Sequence, residues 1–382
     1  MRGNYSMVIK NGNVFCEDGI FRNTDIEIQN GIITAIGDSL DWQKDEVLDA
    51  GGCFVIPGLV DIHTHGAVGV DFCDGPIEGA EKIAKYFLKN GVTSFLGTTM
   101  SMPEEELAKA YSSLAPLVGV RKPGQAIMQG FNMEGPFFNL KKCGAQNPDY
   151  LRTADVDMFE RLYSISGKNI KTVAVAPEIE GASSFISKVS SYCTVSLAHS
   201  EAGYEVAMEG FALGANHVTH LFNGMAPFTH REPGLVGAAA DSNAFVELIC
   251  DGVHIHPTVV RSVFRMFGDD KVCLISDAMR ACGLGDGEYD LGGQNVTVKG
   301  ASATIENGSL AGSVTVLMDC LQKAISFGVP FESAIKAATI NPAKSVGVDK
   351  EVGSISVGKS GDIVLLDGDH KVKAVLLSGV VA

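Results

Sequence analysis

The sequence predicts an α/β protein: a (β/α)8 barrel of the TIM type with a small β-sandwich domain built from both termini. Three observations carry this. Eight short apolar runs recur through the middle of the chain, separated by stretches of helical pattern. Most of those runs close on a histidine or carboxylate. The two ends share a different texture, short alternating strands broken by Asn-Gly and Asp-Gly turns.

At the N-terminal end, Met7-Val8-Ile9 reads as a strand entering a turn at Asn11-Gly12-Asn13. Ile26-Glu27-Ile28 alternates, Asn30-Gly31 turns, and 32–36 follows as a further strand. The apolar runs are then 59–63, 93–96, 126–134, 172–176, 194–199, 216–220, 245–251 and 272–277. Segments 78–90, 103–117 and 201–213 carry helical periodicity between them. At the far end, Ile363 to Leu366 precedes an Asp367-Gly368 turn and a strand over 372–381. Neither end holds enough strands for an independent sheet, so residues 1–57 and 346–382 are expected to form one β domain. The barrel is expected to span 58–345.

Composition narrows the function classes. Of 382 residues, 46% are hydrophobic and 20% charged, which fits a large globular core. Thirty Lys and Arg against 45 Asp and Glu leave a net charge of −15, so nucleic acid is not an expected partner. The nine cysteines form no Cys-x-x-Cys pair and read as buried hydrophobes in a reducing compartment. Met1 to Tyr5 lacks the apolar core of a signal peptide, and no run reaches membrane-spanning length. A soluble, cytoplasmic protein is expected.

In a barrel, all strand C-termini open onto one face, so residues far apart in sequence converge there. Run one ends His63-Thr64-His65, run three in Glu134, run five in His199 and run six in His220. Asp251 and His254 follow run seven, and Asp277 ends run eight. His63 and His65 are two apart in a strand and point the same way. Imidazoles with a carboxylate suit a divalent transition metal, zinc first and iron, manganese or cobalt as alternatives. One or two ions fit, with Glu134 bridging. A metal generates hydroxide at neutral pH, and Asp277 then serves as general base and acid. Its alternative role is a helix N-cap.

The same residues carry a family resemblance. Pro57-Gly58-Leu59-Val60-Asp61-Ile62-His63-Thr64-His65, Thr339-Ile340-Asn341-Pro342-Ala343 and the Gly353 to Asp362 segment resemble amidohydrolase signatures. Met133-Glu134-Gly135-Pro136-Phe137, Ala198-His199-Ser200, Thr219 to Met225, Arg231-Glu232-Pro233-Gly234, Asp251-Gly252-Val253-His254 and Ser276-Asp277-Ala278 are similar to the N-acetylglucosamine-6-phosphate deacetylase branch. The resemblance implies hydrolysis of the sugar's N-acetyl amide. It implies Glu134, His199 and His220 as principal metal ligands, with His63 and His65 at a second position that some members have lost. Asp277 matches the acid-base and His254 a contact to sugar and oxyanion. Asn223, Gly224 and Arg231 match phosphate contacts, Arg231 reaching the neighbouring subunit of a homodimer. Ala145 and Leu310 join them in the implied substrate wall. Gln146 stands where some members carry a sugar-binding His, so glucosamine and galactosamine epimers both stay open.

Alternatives remain at this point. Run four, ending Ala176-Pro177-Glu178, has no Lys to be carboxylated, against a dihydroorotase or hydantoinase. No P-loop occurs, and Arg231 is either a bidentate phosphate fork or a surface partner of Glu232. The runner-up activities are deacetylation of N-acetylgalactosamine 6-phosphate or of an N-acyl amino acid. A metal-free barrel acting as an assembly module is the reading from a different class.

Overall fold

The computed structural model describes residues 6–38, 40 and 46–382; Met1 to Tyr5 lie outside them. Eight parallel strands pair in chain order: β1 (Leu59–Thr64), β2 (Val92–Thr99), β3 (Ile127–Glu134), β4 (Ile170–Val175), β5 (Thr194–Leu197), β6 (His217–Val218), β7 (Phe245–Ile249) and β8 (Val272–Ile275). The ring closes where the Asp277 N–H donates to the His63 carbonyl at 2.9 Å and the Ser276 hydroxyl donates to Asp61 at 2.6 Å. These strands are buried on both faces, which is why they read as apolar runs without alternation.

Helices cover the outside of the barrel. The helix Ile77–Lys89 buries Ala80, Ile83, Ala84, Phe87 and Leu88, the spacing of one helical face. Asn90 ends it, and Gly91 at φ 83° turns the chain back into β2. The predicted segment 103–117 forms Glu104–Leu114 plus a short 3-10 turn, and 201–213 forms Tyr204–Ala212.

The strand ends differ from the sequence expectation at the site itself. β5 stops at Leu197 and β6 at Val218, two residues short of His199 and His220. The backbone turns sharply there: His199, His220 and Asp277 all have positive φ, at 45°, 27° and 48°. Non-glycine residues adopt such φ only where surroundings impose it.

Both termini build one mixed sheet. Phe54–Pro57 lies between Ser6–Phe15, to which it is parallel, and Ile363–Leu366, to which it is antiparallel. Residues from all of these strands, including Ile9, Val14, Ile28, Val55, Ile363 and Leu376, pack into their own apolar cluster. Phe21 and Phe54 face the barrel and meet Phe331 at centroid distances of 5.3 and 5.2 Å.

Two turn expectations fail. Asn11-Gly12-Asn13 makes no hairpin; Ser6–Phe15 runs straight through it as one strand with a bulge between Ile9 and Gly12. A Cβ on Gly12 would lie 2.5 Å from Val55 Cγ2, so glycine serves close packing there instead of a turn. The chain reverses later, where the Cys16 N–H donates to the Ile20 carbonyl. Segment 372–381 is not one strand but a hairpin, Val372–Leu377 and Val380–Val381, turning at Ser378-Gly379.

The sequence reading also passed over a three-stranded meander after β8: Gly287–Leu291, Gln294–Lys299 and Ser302–Ile305. It packs Leu291, Val296, Val298 and Ile305 against Met100, Ala145 and Met279, beside the C-terminal face of the barrel. Among the described residues, no helix is long and apolar enough to cross a membrane.

Candidate active site

The C-terminal face holds a cavity of about 260 Å³, at the small end of ligand sites. His65, Glu134, His199, His220, His254 and Asp277 line it, together with Ala145, Gln146, Asn223, Gly224 and Leu310. His63 lies just beneath this wall.

Glu134 is the centre of the cluster. Its Oε1 is 2.9 Å from His220 Nε2, 3.2 Å from His199 Nε2 and 3.7 Å from His63 Nε2; its Oε2 is 3.4 Å from His65 Nε2. Asp277 Oδ1 lies 3.5 Å from His63 Nε2 and 3.2 Å from His65 Nε2. Two overlapping groups therefore have metal-binding spacing: His63, His65 and Glu134, and Glu134, His199 and His220. All these residues are buried.

The rings are aimed by their outer nitrogens. His199 Nδ1 lies 2.7 Å from the Lys142 carbonyl, His220 Nδ1 3.2 Å from the Asn223 carbonyl, and His63 Nδ1 2.8 Å from the Glu247 carboxylate. Each contact turns Nε2 inward, the arrangement found around protein-bound metals. Among the described residues His63 Nε2 has no hydrogen-bond partner, and the Nε2 atoms of His199 and His220 sit 3.2 Å apart. Two neutral imidazoles cannot satisfy each other in that geometry, but a cation between them can.

The electrostatics agree with this donor set. Burial opposes the ionised carboxylate of Glu134, yet His63, His199 and His220 hold it well below the usual range. Asp277 is also held low, against burial, by His65, His63 and His220. Burial opposes charge on His63, but Glu247 and Glu134 raise it well above an ordinary imidazole. The site attracts positive charge, and a divalent cation supplies it.

The remaining predicted residues divide. His254 faces the cavity, its Nδ1 held 2.8 Å from Asp251 Oδ2. Asn223 donates its amide to the carbonyls of His220 and Leu221. Gly224 packs so close that a Cβ would lie 2.8 Å from His199 Nδ1. Gln146 donates to Glu134 Oε2 at 2.8 Å and accepts from the Ser101 N–H at 2.7 Å, so both ends of its amide are engaged. Arg231 does not line this chain's cavity; it is exposed, with Nη1 2.8 Å from His230 Nε2, and among the described residues it pairs with no Glu232. No helix follows Asp277; Ala278 instead bridges to Ser313, which removes the N-cap alternative. The sequence reading missed Glu247, although a lone carboxylate inside Phe245-Val246-Glu247-Leu248-Ile249 was its visible signal. It missed Asp251 as the partner of His254 and the meander that brings Leu291 to the wall.

The amidohydrolase family model matches residues 54–382. An N-acetylglucosamine-6-phosphate deacetylase of Bacillus subtilis is 32% identical over 386 residues, covering 99% of this chain and 97% of the relative. An N-acetylgalactosamine-6-phosphate deacetylase of Escherichia coli O157:H7 is also 32% identical, covering 98% and 99%. Among solved structures, N-acetylglucosamine-6-phosphate deacetylase from Pasteurella multocida superposes with a TM-score of 0.93 at 26% identity, covering 99% of this chain and 100% of that one. With its barrel, its histidine-carboxylate cluster and this matched span, the chain belongs to the amidohydrolase family.

Proposed function

We propose that the protein hydrolyses the N-acetyl amide of N-acetylglucosamine 6-phosphate, releasing glucosamine 6-phosphate and acetate. The carrying observation is the convergence of four imidazole Nε2 atoms on Glu134, two of them also facing the Asp277 carboxylate, in a monosaccharide-scale cavity. Full-length relatives named for this activity support the substrate class.

Glu134, His199 and His220 would hold one divalent ion, and His63 and His65, with Glu134 shared, a second. Zinc is the first choice for this donor set, with iron, manganese or cobalt as alternatives. Bound there, such an ion supplies Lewis acidity, polarising an amide carbonyl and acidifying water.

Asp277, ionised at neutral pH, takes the proton from the attacking water as its oxygen joins the carbonyl carbon. It returns that proton to the amide nitrogen as the C–N bond breaks, because an amide anion is too basic to leave. Water is consumed; acetate and the free amine result. His254, its Nδ1–H committed to Asp251, presents Nε2 to the cavity, where it accepts from a sugar hydroxyl as the neutral ring and donates to the developing oxyanion as the imidazolium. Gln146, Ala145 and Leu310 form the wall around the sugar, and Gln146 also steadies Glu134.

Among the described residues, no Lys or Arg lines the cavity. A phosphate at the Asn223-Gly224 end therefore needs a cation from outside. Arg231 fits that need in trans if two copies of the chain form a homodimer: it sits on an exposed loop with Phe228, which is 45% exposed. The same reading places the enzyme in the cytoplasm, consistent with nine free cysteines. It divides the chain into a barrel over 58–345 and a sheet from 1–57 with 346–382, supported by the sheet's own apolar cluster on one face, while its other face, with Phe15, Ile56, Val364 and Leu366, joins the barrel core.

The deciding experiment measures acetate release from N-acetylglucosamine 6-phosphate, N-acetylgalactosamine 6-phosphate, unphosphorylated N-acetylglucosamine and an N-acetyl amino acid. The first should give the highest kcat/KM. A higher value for the galactosamine epimer or the amino acid would replace the substrate, and no acetate from any would leave the assembly-module reading.

A further inference from the structure

We infer that Glu247, outside the cavity wall, is a positioning residue that sets the ring of His63 and the backbone of His220. It thereby makes the His63 metal position and ties the two ligand groups together. The inference rests on the metal-site reading above and deepens it.

Glu247 stands in the middle of β7 and is fully buried, with apolar residues on either side in sequence. A carboxylate at such a position is costly unless its oxygens are matched. One oxygen, Oε2, does the matching twice. It accepts from His63 Nδ1 at 2.8 Å and from the His220 backbone N–H at 3.1 Å. The first bond commits the proton of His63 to Nδ1, so Nε2 must face the site. There it lies within 3.7 Å of Glu134 Oε1 and 3.5 Å of Asp277 Oδ1, with no hydrogen-bond partner among the described residues. The second bond holds His220 at its positive φ.

His63 belongs to one ligand group and His220 to the other. A single oxygen thus registers one group against the other, beneath the shared Glu134. The two other ring contacts of this kind, at His199 and His220, are to neutral backbone carbonyls. Among the candidate metal ligands in the described residues, only His63 has a carboxylate behind it, and a charged acceptor raises ligand basicity more than a carbonyl does. The far oxygen, Oε1, faces His217 Nε2 across 3.9 Å, and among the described residues neither atom has a hydrogen-bond partner. His217 is anchored in turn through Nδ1 to Ser196 Oγ at 2.9 Å. Glu247 is therefore fixed through Oε2 alone, by the His63 ring and the His220 backbone.

The test uses the full-length chain, stripped with chelator and titrated with Zn²⁺ alone, bound zinc being counted after equilibrium dialysis. Wild type should show a tighter and a looser zinc equilibrium. Glu247→Leu should weaken the looser one about 10- to 100-fold, as His63→Asn does, and the tighter one, reached only through the His220 backbone, by clearly less. Glu247→Gln keeps an acceptor oxygen but loses the charge, and should fall between wild type and Glu247→Leu. Proton NMR of the metal-free protein gives a second readout. A hydrogen-bonded imidazole proton, well downfield of the amides, should be present in wild type and absent in both His63→Asn and Glu247→Leu. In the zinc-loaded enzyme, kcat should fall with KM unchanged, because Glu247 does not touch the cavity.

A single zinc equilibrium in wild type would overturn the proposal. So would equal loosening of both equilibria, which marks a merely structural role, or a retained downfield proton in Glu247→Leu. If Glu247→Leu does not fold, wild-type zinc binding in Glu247→Gln is the refuting result. Zinc binding and the imidazole proton are read without substrate, so an enzyme releasing no acetate would defeat the proposed function and leave this inference standing or falling on its own data.

Discussion

Glu134 gathers four imidazole nitrogens around two oxygens, so no neighbour can replace it. Glu134→Ala should lose bound metal and nearly all activity while its far-UV circular dichroism stays that of wild type; stoichiometric metal in that variant would remove Glu134 from the ligand set. His63→Asn should cost less, since one ion can polarise the carbonyl and acidify water alone. Asp277→Asn keeps shape and a hydrogen-bond donor but cannot accept a proton. Its kcat should drop at least about 10²-fold with metal content intact, the low end for a positioned acid-base. Near-normal kcat would refute that role, and loss of metal would recast Asp277 as a ligand. At this scale the sequence was informative about identity and poor about partners. His63, Glu134 and Asp277 stood out because strand ends in a barrel share a face. The bond from Gln146 to Glu134 and the bond from His63 to Glu247, 184 residues away, could not be read. They depend on side-chain direction across strands.

The strand ends position the chemistry, and the loops behind them leave little room. At Gly224 the backbone has φ 62°, and a Cβ would meet His199 Nδ1 at 2.8 Å. Gly224→Ala is expected to push His199 off the site. Metal affinity should fall about 10-fold or more, the scale of disturbing an orienting contact, measured by zinc titration against wild type. All eight strands were legible because burial on both faces leaves uninterrupted apolar runs. Their ends were less so: the runs at 194–199 and 216–220 continue past the strands, because residues turning into a buried site stay apolar or polar for chemical reasons, not for pairing. Asn11-Gly12 carries the composition of a hairpin turn but sits in a bulge, where Asn11 takes φ 61° and its N–H donates to Asp25. The meander, with Gly292-Gly293 between alternating strands, did carry a turn signal, but it interrupts the strand-helix rhythm by which the barrel was recognised.

At the scale of the whole molecule, the basic group for the phosphate belongs to another copy under the proposed reading. Arg231→Ala should lower kcat/KM for the phosphorylated sugar about 10- to 100-fold, the size of a charge-assisted bidentate contact, and hardly alter turnover of the unphosphorylated sugar. Equal loss on both substrates would make Arg231 structural. Mixed with Asp277→Asn chains, Arg231→Ala chains should regain part of the activity, since one site in each mixed dimer keeps both residues; no recovery above the sum of the parents would confine Arg231 to its own chain. The acidic balance of the sequence could not reveal this, because net charge says nothing about where a single arginine is delivered.

The sheet shared by both ends has a consequence for synthesis. Phe54–Pro57 offers one edge to Ile363–Leu366, and 305 residues lie between Pro57 and Ile363. At ordinary ribosomal rates that edge waits roughly 15 to 60 s for its partner. During the wait, the nascent chain carries an open row of backbone donors and acceptors beside apolar side chains, a surface that other chains can pair with. Any polypeptide released before residue 363 keeps that row open permanently. Closing the last strands into the first thus waits until every barrel segment has been synthesised, and a chain cut short before that point has no strand of its own to cover the edge.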